Sequence, residues 1–276
     1  MNLLRSLARF TKLEHTVFSL PIVFAGAWLG AGRHMPGAGK LVLIVLAATG
    51  GRTLGMAMNR ILDREIDALN ARTRGRELPS GLLSLRKAWL IAAIGLAVYL
   101  VACALLGPLI LALSPVPAVF LIGYTLLKRF TCLCHYGIGL VLGMAPLAAY
   151  VAVQGRIAVT PDILLLSGFV LFWISGYDII YALQDQEFDR QYGVHSIPGR
   201  FGSAVAQGVA MASHAVAWLL LAAFAAGCAE GRLAWVPVAC CGVTLGLSYM
   251  PWIPLPVRFF PLSAIASITG SLVVYF

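Results

Sequence analysis

Residues 41–67 read LVLIVLAATGGRTLGMAMNRILDREID, an apolar run of membrane length that ends in a row of acidic side chains. At about 100° per residue, Asn59, Asp63 and Asp67 lie on one stripe of a helix. Arg52, seven residues before Asn59, falls on the same stripe within the apolar part. The stretch therefore predicts a membrane helix that ends in an acidic face.

A second acidic row repeats this pattern. Residues 178–189 read DIIYALQDQEFD, in which Asp178, Asp185 and Asp189 share one helix face by the same arithmetic. Both rows contain an Asp-x-x-x-Asp core, and a polar loop with Pro and Gly follows each. We predict a single domain over residues 1–276 that carries an internal duplication, with motifs at residues 59–81 and 178–202. Coincidental Pro-Gly turns are the alternative.

The composition is that of a polytopic membrane protein. Of the 276 residues, 60% are hydrophobic and 11% are charged, whereas about 25% are charged in soluble domains. The net charge of +9 is also typical of nucleic-acid-binding proteins, but the basic residues fall between apolar segments. We therefore expect them to set membrane topology and to attract anions, and we expect no nucleic acid. Most of the 11 acidic residues lie in or beside the two rows, namely Asp63, Glu65, Asp67, Glu77, Asp178, Asp185, Glu187 and Asp189.

Apolar runs of about 20 residues predict nine transmembrane helices. They are Thr16 to Gly32, Leu41 to Leu62, Ala88 to Leu106, Pro108 to Leu127, Leu133 to Val153, Ile163 to Leu183, Val205 to Ala226, Leu233 to Met250 and Phe259 to Phe276. The predicted fold is all-α, with the nine helices around a central cavity that opens near the cytoplasmic face.

The Lys and Arg residues of the loops predict the orientation. With the amino terminus in the cytoplasm, most loop cations fall on the cytoplasmic side, and Arg5, Arg9 and Lys12 are among them. The exceptions on the outer side are Arg33, Lys40, Arg156 and Arg232. This bias predicts a multi-pass protein of the inner (cytoplasmic) cell membrane with a cytoplasmic amino terminus and both acidic rows toward the cytoplasm.

Carboxylates packed this densely at a membrane surface repel one another unless Arg partners or divalent cations lie nearby. Mg²⁺ prefers oxygen ligands and is usually held by one or two carboxylates together with substrate phosphates. The two rows therefore predict a site that binds a diphosphate through Mg²⁺. The alternative is a set of ordinary salt bridges at the membrane surface, with Arg60, Arg64 and Arg190 as partners.

Four segments carry a family resemblance. They are the Asn59-x-x-x-Asp63-x-x-x-Asp67 row, Arg76-Glu77-Leu78-Pro79-Ser80-Gly81, Tyr124 with Lys128-Arg129-x-Thr131, and Asp178-x-x-Tyr181-Ala182-x-x-Asp185-x-x-x-Asp189. Together they resemble the UbiA-type intramembrane aromatic prenyltransferases, over nearly the whole chain. Many members have Asn-Asp at the start of the first motif, where this chain has Asn59-Arg60.

The resemblance implies a Mg²⁺-dependent enzyme of respiratory quinone biosynthesis that transfers a polyprenyl group from a polyprenyl diphosphate to an aromatic acid such as 4-hydroxybenzoate. A neutralised leaving group lets the allylic C–O bond ionise, and aromatic faces then stabilise the cation. The implied catalytic residues are Asp63, Asp67, Asp185 and Asp189, which with Asn59 hold the metal. Residues expected to contact substrate are Arg52, Asn59, Arg74, Lys128, Asp178, Tyr124 and Tyr181, and Tyr177 and Trp173 are further aromatic candidates.

Arg52 is expected to bind the carboxylate of the aromatic acid, because a cation within a membrane span is costly unless it faces a polar cavity. Its alternative role is that of counter-ion to Asp63 or Asp178.

The alternative acceptor is 1,4-dihydroxy-6-naphthoate, of menaquinone biosynthesis, and a more distant alternative function is a membrane transporter. Residues 132–135 read CLCH, but without a second ligand pair this spacing disfavours a zinc site.

Overall fold

The computed structural model describes residue 10 and residues 14–276, with side chains from residue 10 and residues 19–276. Throughout this part of the chain the secondary structure is helical and contains no β-strand, which confirms the all-α prediction. The basic residues Arg5, Arg9 and Lys12 of the topology prediction lie outside the described residues.

Eleven α-helices of six residues or more organise the described residues. They are α1 (Glu14–Gly30), α2 (Ala38–Leu69), α3 (Leu85–Leu106), α4 (Pro108–Leu113), α5 (Pro115–Leu127), α6 (Cys134–Gln154), α7 (Pro161–Ala182), α8 (Gln186–Tyr192), α9 (Ile197–Gly227), α10 (Trp235–Leu247) and α11 (Ser263–Leu272). A 3-10 turn at Leu183–Asp185 separates α7 from α8, and a π-helical turn at Arg258–Leu262 leads into α11.

Each of the nine predicted spans coincides with an apolar helical segment. Within the described residues, seven segments are long and apolar enough to cross a membrane. They are Ala38–Leu69, Leu85–Leu106, Pro108–Leu127, Cys134–Gln154, Pro161–Tyr192, Ile197–Gly227 and Leu255–Tyr275. Two shorter apolar helices, Ser19–Gly30 and Arg232–Leu247, occupy the remaining two predicted positions. The central cavity and the face to which it opens stay predictions.

The chain divides into two compact units, of which the first contains residues 38–126. In this unit α2 and α3 pack with their backbones close together, because a Cβ added to Gly50 would lie 2.6 Å from the Tyr99 amide nitrogen. On the same contact, a Cβ added to Gly95 would lie 2.8 Å from the Leu54 nitrogen. Helices in lipid associate through van der Waals packing rather than hydrophobic burial, so glycines at the contact stabilise this pair.

The second unit contains residues 18–37 and 127–276. Glycines again mark its helix contacts: a Cβ added to Gly143 of α6 would lie 2.9 Å from the Ser167 carbonyl oxygen of α7. Phe169, Trp173 and Tyr177 of α7 fill the centre of the unit and are almost completely buried. Helix α7 therefore forms the core of this unit, and the second acidic row begins near its carboxyl end with Asp178.

Candidate active site

The first acidic row lies in the last turns of α2. This helix has 32 residues, about 48 Å at 1.5 Å per residue, whereas about 20 residues span the hydrocarbon core. Asp63 and Asp67 are nevertheless only 1% and 5% exposed. An isolated buried carboxylate is strongly disfavoured, so each of these two must be compensated by hydrogen bonds or by positive charge.

Asn59 orients the first of these carboxylates. Its side-chain amide donates to Asp63 Oδ2 over 3.1 Å, one helical turn along α2, and approaches the Thr125 hydroxyl oxygen of α5 at 3.4 Å. A Cβ added to Gly55, one turn earlier on α2, would lie 3.0 Å from Leu121, so α5 packs directly on this face of α2. The Asn59 amide therefore links the acidic row to α5.

Asp67 is paired with a cation from the loop that follows α2. Arg76 Nη1 donates to both Asp67 carboxylate oxygens at 2.8 Å, and the Thr73 hydroxyl donates to the Asp67 carbonyl oxygen over 3.0 Å. The loop turns at Asn70, whose Oδ1 accepts from the Arg72 amide at 2.9 Å, as in an Asx turn. The alternative of ordinary salt bridges proposed Arg60, Arg64 and Arg190 as partners of the acidic rows. In the structure, Asp67 is paired with Arg76 instead.

The other basic residues near the first row differ in their surroundings. Arg64 is exposed and pairs with its neighbour Glu65 at 2.8 Å. Arg60, which follows Asn59 in the first row, is 5% exposed. Arg74 is exposed in the loop after α2, where it is accessible to an anion.

Arg52 lies half-buried on α2, close enough to Tyr124 of α5 for an electrostatic interaction. A Cβ added to the preceding residue, Gly51, would lie 3.3 Å from Leu121, so the α5 face that carries Tyr124 lies beside this part of α2. The structure thus places two predicted substrate contacts, a cation and a phenol, together within the first unit.

The second acidic row does not lie on one continuous α-helix, in contrast to the predicted stripe. Asp178 belongs to α7, Asp185 to the 3-10 turn and Asp189 to α8. A 3-10 turn advances three residues per turn rather than 3.6, so the face on which Asp185 lies shifts relative to Asp178. Asp185 and Lys128 nevertheless lie close enough to Asp189 to interact with it electrostatically.

Asp189 is held by the residue that caps α9. The Ser196 hydroxyl donates to Asp189 Oδ2 over 2.6 Å and accepts from the Gly199 amide at 3.1 Å. Asp189 is 8% exposed. Because Ser196 is the N-cap of α9, one hydroxyl both caps that helix and positions the carboxylate.

Asp178 is held by a residue that the sequence did not assign to the site. His135 Nδ1 lies 2.7 Å from Asp178 Oδ2, and the Ile197 amide donates to His135 Nε2 over 3.3 Å. The neighbouring Cys134 thiol donates to the His195 carbonyl oxygen over 3.3 Å. In the sequence this histidine stood out only as part of the CLCH run, whose spacing disfavours a zinc site; in the structure it contacts a carboxylate.

The aromatic candidates divide into two kinds. Tyr181 lies half-exposed at the end of α7, where its ring packs on Phe259 with 4.2 Å between centroids. Tyr177 is fully buried and shares a 2.8 Å hydrogen bond with the Ser248 hydroxyl, and Trp173 is buried against it. These two side chains pack within the core of the second unit, so only Tyr124 and Tyr181 stay candidates for a substrate contact.

The donor atoms suit a hard divalent cation. Among the described residues, no group of three or more His, Cys, Asp or Glu side chains is arranged to hold a metal ion. The acidic rows supply oxygen donors, which Mg²⁺ prefers, and Mg²⁺ commonly completes its octahedron with water and substrate phosphates. Asp178 and Asp189 each use Oδ2 in the hydrogen bonds above, and within the described part of the chain Oδ1 of each makes none. The residues present therefore fit Mg²⁺.

Comparisons with known proteins agree with this chemistry. The model of the UbiA prenyltransferase family matches residues 19–254. A 4-hydroxybenzoate octaprenyltransferase of Aromatoleum aromaticum is 35% identical over 212 residues, which cover 75% of this chain and 69% of that protein. About seven tenths of each sequence is thus comparable. The residues matched by the family model include both acidic rows.

Solved structures share the fold. The apo structure of a UbiA homologue from Aeropyrum pernix K1 has a TM-score of 0.83 and 34% identity and covers 95% of both chains. A UbiA homologue from Archaeoglobus fulgidus bound to GPP and Mg²⁺ has a TM-score of 0.75 at 18% identity, covering 98% of this chain and 99% of that chain. The family match, the curated relative and the shared fold agree: this chain belongs to the UbiA prenyltransferase family.

Proposed function

We propose that this protein transfers a polyprenyl group from a polyprenyl diphosphate to the ring of 4-hydroxybenzoate, in respiratory quinone biosynthesis. The observation that carries the proposal is the concentration of carboxylates at two helix ends, in a chain that belongs to a prenyltransferase family. The relative from Aromatoleum aromaticum, which is named for this acceptor, supports the choice of aromatic acid.

Mg²⁺ is the cofactor we propose, held by Asn59, Asp63, Asp67, Asp185 and Asp189. When bound, it neutralises charge on the departing diphosphate and so eases ionisation of the allylic C–O bond. Asn59 orients Asp63 for this role through its 3.1 Å hydrogen bond. Lys128 and Arg74 bind diphosphate oxygens, and Asp178 contributes to the same substrate site.

The acceptor and the allylic group are the remaining partners of the reaction. Arg52 binds the carboxylate of the aromatic acid, since a guanidinium matches a carboxylate with two parallel hydrogen bonds. Tyr124 and Tyr181 offer aromatic faces that stabilise the allylic cation without trapping it. The C–O bond to diphosphate breaks, a bond forms between the allylic carbon and the ring, and the ring loses one proton.

The lipid bilayer is the medium of this reaction. We infer a single domain over residues 1–276 in the inner cell membrane, with the amino terminus and both acidic rows toward the cytoplasm. The Lys and Arg bias of the loops supports this orientation. In a cysteine-free variant, an impermeant maleimide should label Gly37→Cys in intact cells and Ser80→Cys only after lysis; the reverse pattern would overturn the orientation.

The decisive experiment is prenyl transfer by the purified protein in detergent. A mid-length polyprenyl diphosphate is supplied with Mg²⁺ or EDTA, and 4-hydroxybenzoate competes with 1,4-dihydroxy-6-naphthoate. We expect prenylated 4-hydroxybenzoate with Mg²⁺ and none with EDTA. Preference for the naphthoate would move the enzyme to the menaquinone pathway, and no product from either acid would overturn the acceptor assignment.

A further inference from the structure

One loop of the second unit contacts three parts of the acidic site. The cap loop, residues 194–199, comprises the end of the connection from α8 to α9 and the first three residues of α9. The Ser196 hydroxyl donates to Asp189, the Ile197 amide donates to His135, and the His195 amide donates to the Lys128 carbonyl oxygen over 2.7 Å. Ser196 and Ile197 are almost completely buried. The cap loop is therefore fixed by the same bonds through which it contacts the site.

His135 has a defined tautomer in this arrangement. An amide N–H can only donate, so the Ile197 amide requires an unprotonated Nε2. A neutral imidazole then carries its proton on Nδ1, which donates to Asp178 Oδ2 over 2.7 Å. His135 is 2% exposed. Both ring nitrogens are thus occupied, and a proton could enter Nε2 only if the Ile197 bond broke.

This excludes a proton relay through His135 while the cap loop is in place. A relay needs a ring nitrogen that accepts a proton from one side and releases it on the other. Here Nε2 faces a backbone donor, so the ring serves as a fixed hydrogen-bond donor to a carboxylate. The Asp178 side chain keeps 29% of its surface exposed, and its Oδ1 points to no hydrogen-bond partner among the described residues.

Ser196 gives Asp189 the same kind of support. The hydroxyl accepts from the Gly199 amide, so its own proton is directed to Asp189 Oδ2. A Cβ added to Gly199 would lie 2.9 Å from the Asp189 Cβ and 3.0 Å from Ser196 Oγ. The cap loop thus lies so close to the Asp189 side chain that only glycine fits at position 199 without a shift of its neighbours.

We propose that His135 and Ser196 are positioning residues: His135 holds one carboxylate oxygen of Asp178, Ser196 holds one of Asp189, and each leaves the other oxygen for the metal that binds the diphosphate. Asp178 thereby joins the residues proposed above to hold Mg²⁺. The inference rests on the proposed function for the identity of those ligands. Hydrogen bonds that orient metal-binding carboxylates typically contribute 10–100-fold to metal affinity or activity. The cap loop would then set the affinity of the second acidic row for Mg²⁺ without contacting the substrate.

The test compares two substitutions of His135. Gln has one amide donor and one carbonyl acceptor, so His135→Gln can replace both bonds, whereas His135→Leu can replace neither. We expect His135→Leu and Ser196→Ala to raise the Mg²⁺ concentration for half-maximal activity by about 10-fold or more, and His135→Gln to raise it by less than about 3-fold. His34→Leu, at an exposed histidine, is the matched control and should equal wild type.

A second readout does not depend on turnover. The thermal shift produced by Mg²⁺ with inorganic pyrophosphate should shrink in His135→Leu and persist in His135→Gln. In wild type, ¹⁵N chemical shifts should show His135 protonated on Nδ1. The proposal is overturned if His135→Leu keeps the wild-type Mg²⁺ dependence and pyrophosphate shift, or if His135→Gln is as impaired as His135→Leu. Wild-type protein that binds Mg²⁺ and pyrophosphate but prenylates neither acid would overturn the proposed function and leave this inference standing.

Discussion

Arg76 donates from a single nitrogen, Nη1, to both carboxylate oxygens of Asp67, each at 2.8 Å. The Asp67 carboxylate is almost buried, and the guanidinium belongs to a loop rather than to α2. A ligand proposed for Mg²⁺ therefore has a protein cation as its counter-charge. The guanidinium and the metal would compete for the same two oxygens.

Arg76→Ala should make the stability of the protein depend on Mg²⁺. Loss of the guanidinium leaves a buried carboxylate uncompensated, which costs about 1–3 kcal/mol or more, or several degrees in melting temperature for a chain of this size. Mg²⁺ can replace the lost charge. We expect Arg76→Ala to melt lower than wild type in EDTA and to recover much of the difference in Mg²⁺. Arg86→Ala, at an exposed arginine after the same loop, should behave as wild type in both. A deficit that Mg²⁺ does not reduce would argue against Asp67 as a metal ligand.

Asp63→Asn should abolish most prenyl transfer. Asp63 is buried and oriented by Asn59, and loss of one electrostatic group at a reacting centre typically costs about 100–1,000-fold in rate. Glu65→Gln is the matched control, because the Glu65 side chain is 80% exposed and pairs with the neighbouring Arg64. It should keep activity within about 2-fold, since exposed ion pairs contribute little. Equal loss in both variants would contradict the assignment.

Arg52→Ala should weaken binding of the aromatic acid without weakening binding of the prenyl diphosphate. The guanidinium beside Tyr124 is proposed to bind the acid carboxylate, and a hydrogen bond to a charged group contributes about 1.5–3 kcal/mol. We expect KM for 4-hydroxybenzoate to rise about 10–100-fold, with KM for the diphosphate nearly unchanged. Steady-state kinetics with each substrate varied in turn measure the two effects.

A control on the Arg52 prediction comes from the acceptor itself. Phenol lacks the carboxylate, so wild type and Arg52→Ala should differ little in any prenyl transfer to it. If Arg52→Ala instead keeps the wild-type KM for 4-hydroxybenzoate, Arg52 does not bind the acid.

Gly176→Ala should destabilise the second unit, because an added Cβ would overlap the His214 ring and approach the Ala210 carbonyl oxygen at 3.1 Å. His214 cannot easily yield, since Nε2 donates to the Trp173 carbonyl oxygen over 3.1 Å and Nδ1 accepts from Tyr249. Overpacking of this kind costs about 1–3 kcal/mol. Gly208→Ala, on α9 with nothing within 4 Å of the added Cβ, should leave the melting temperature unchanged or raise it. Similar melting temperatures for the two variants would show that α7 and α9 separate at little cost.

Periodicity and hydropathy predicted the helices well, because twenty consecutive apolar residues in lipid have few alternatives to a helix. The acidic end of α2 was likewise predictable, since Asn59 and Asp63 interact at a spacing of four within one helix. The prediction of one continuous stripe for the second row failed at Leu183–Asp185. Whether an α-helix changes to a 3-10 turn at this point depends on the elements that pack against it. The spacing of residues along one helix does not contain that information.

The partners of the carboxylates were not predictable from local sequence. Arg76 reaches Asp67 through the fold of a loop, and His135 reaches Asp178 across 43 positions of the chain. Such pairs depend on which helices are neighbours. Tyr177 shows a second limit: it was an aromatic candidate next to the second acidic row, yet its hydroxyl is hydrogen-bonded to Ser248 in the core. An aromatic residue near the acidic rows is therefore a substrate-contact candidate only if the fold leaves its side chain exposed to the site.

Helix α2 has 32 residues, roughly a dozen more than the about 20 that cross the hydrocarbon core. The helix is therefore long enough to extend from the acyl-chain region into the headgroup region. A polyprenyl diphosphate likewise has an apolar tail that lies among the acyl chains and a charged diphosphate that lies among the headgroups. Such a substrate need not leave the leaflet to meet the carboxylates. The quantity that sets the rate is then its mole fraction among the lipids, so adding inert phospholipid at constant bulk substrate should slow the enzyme by surface dilution.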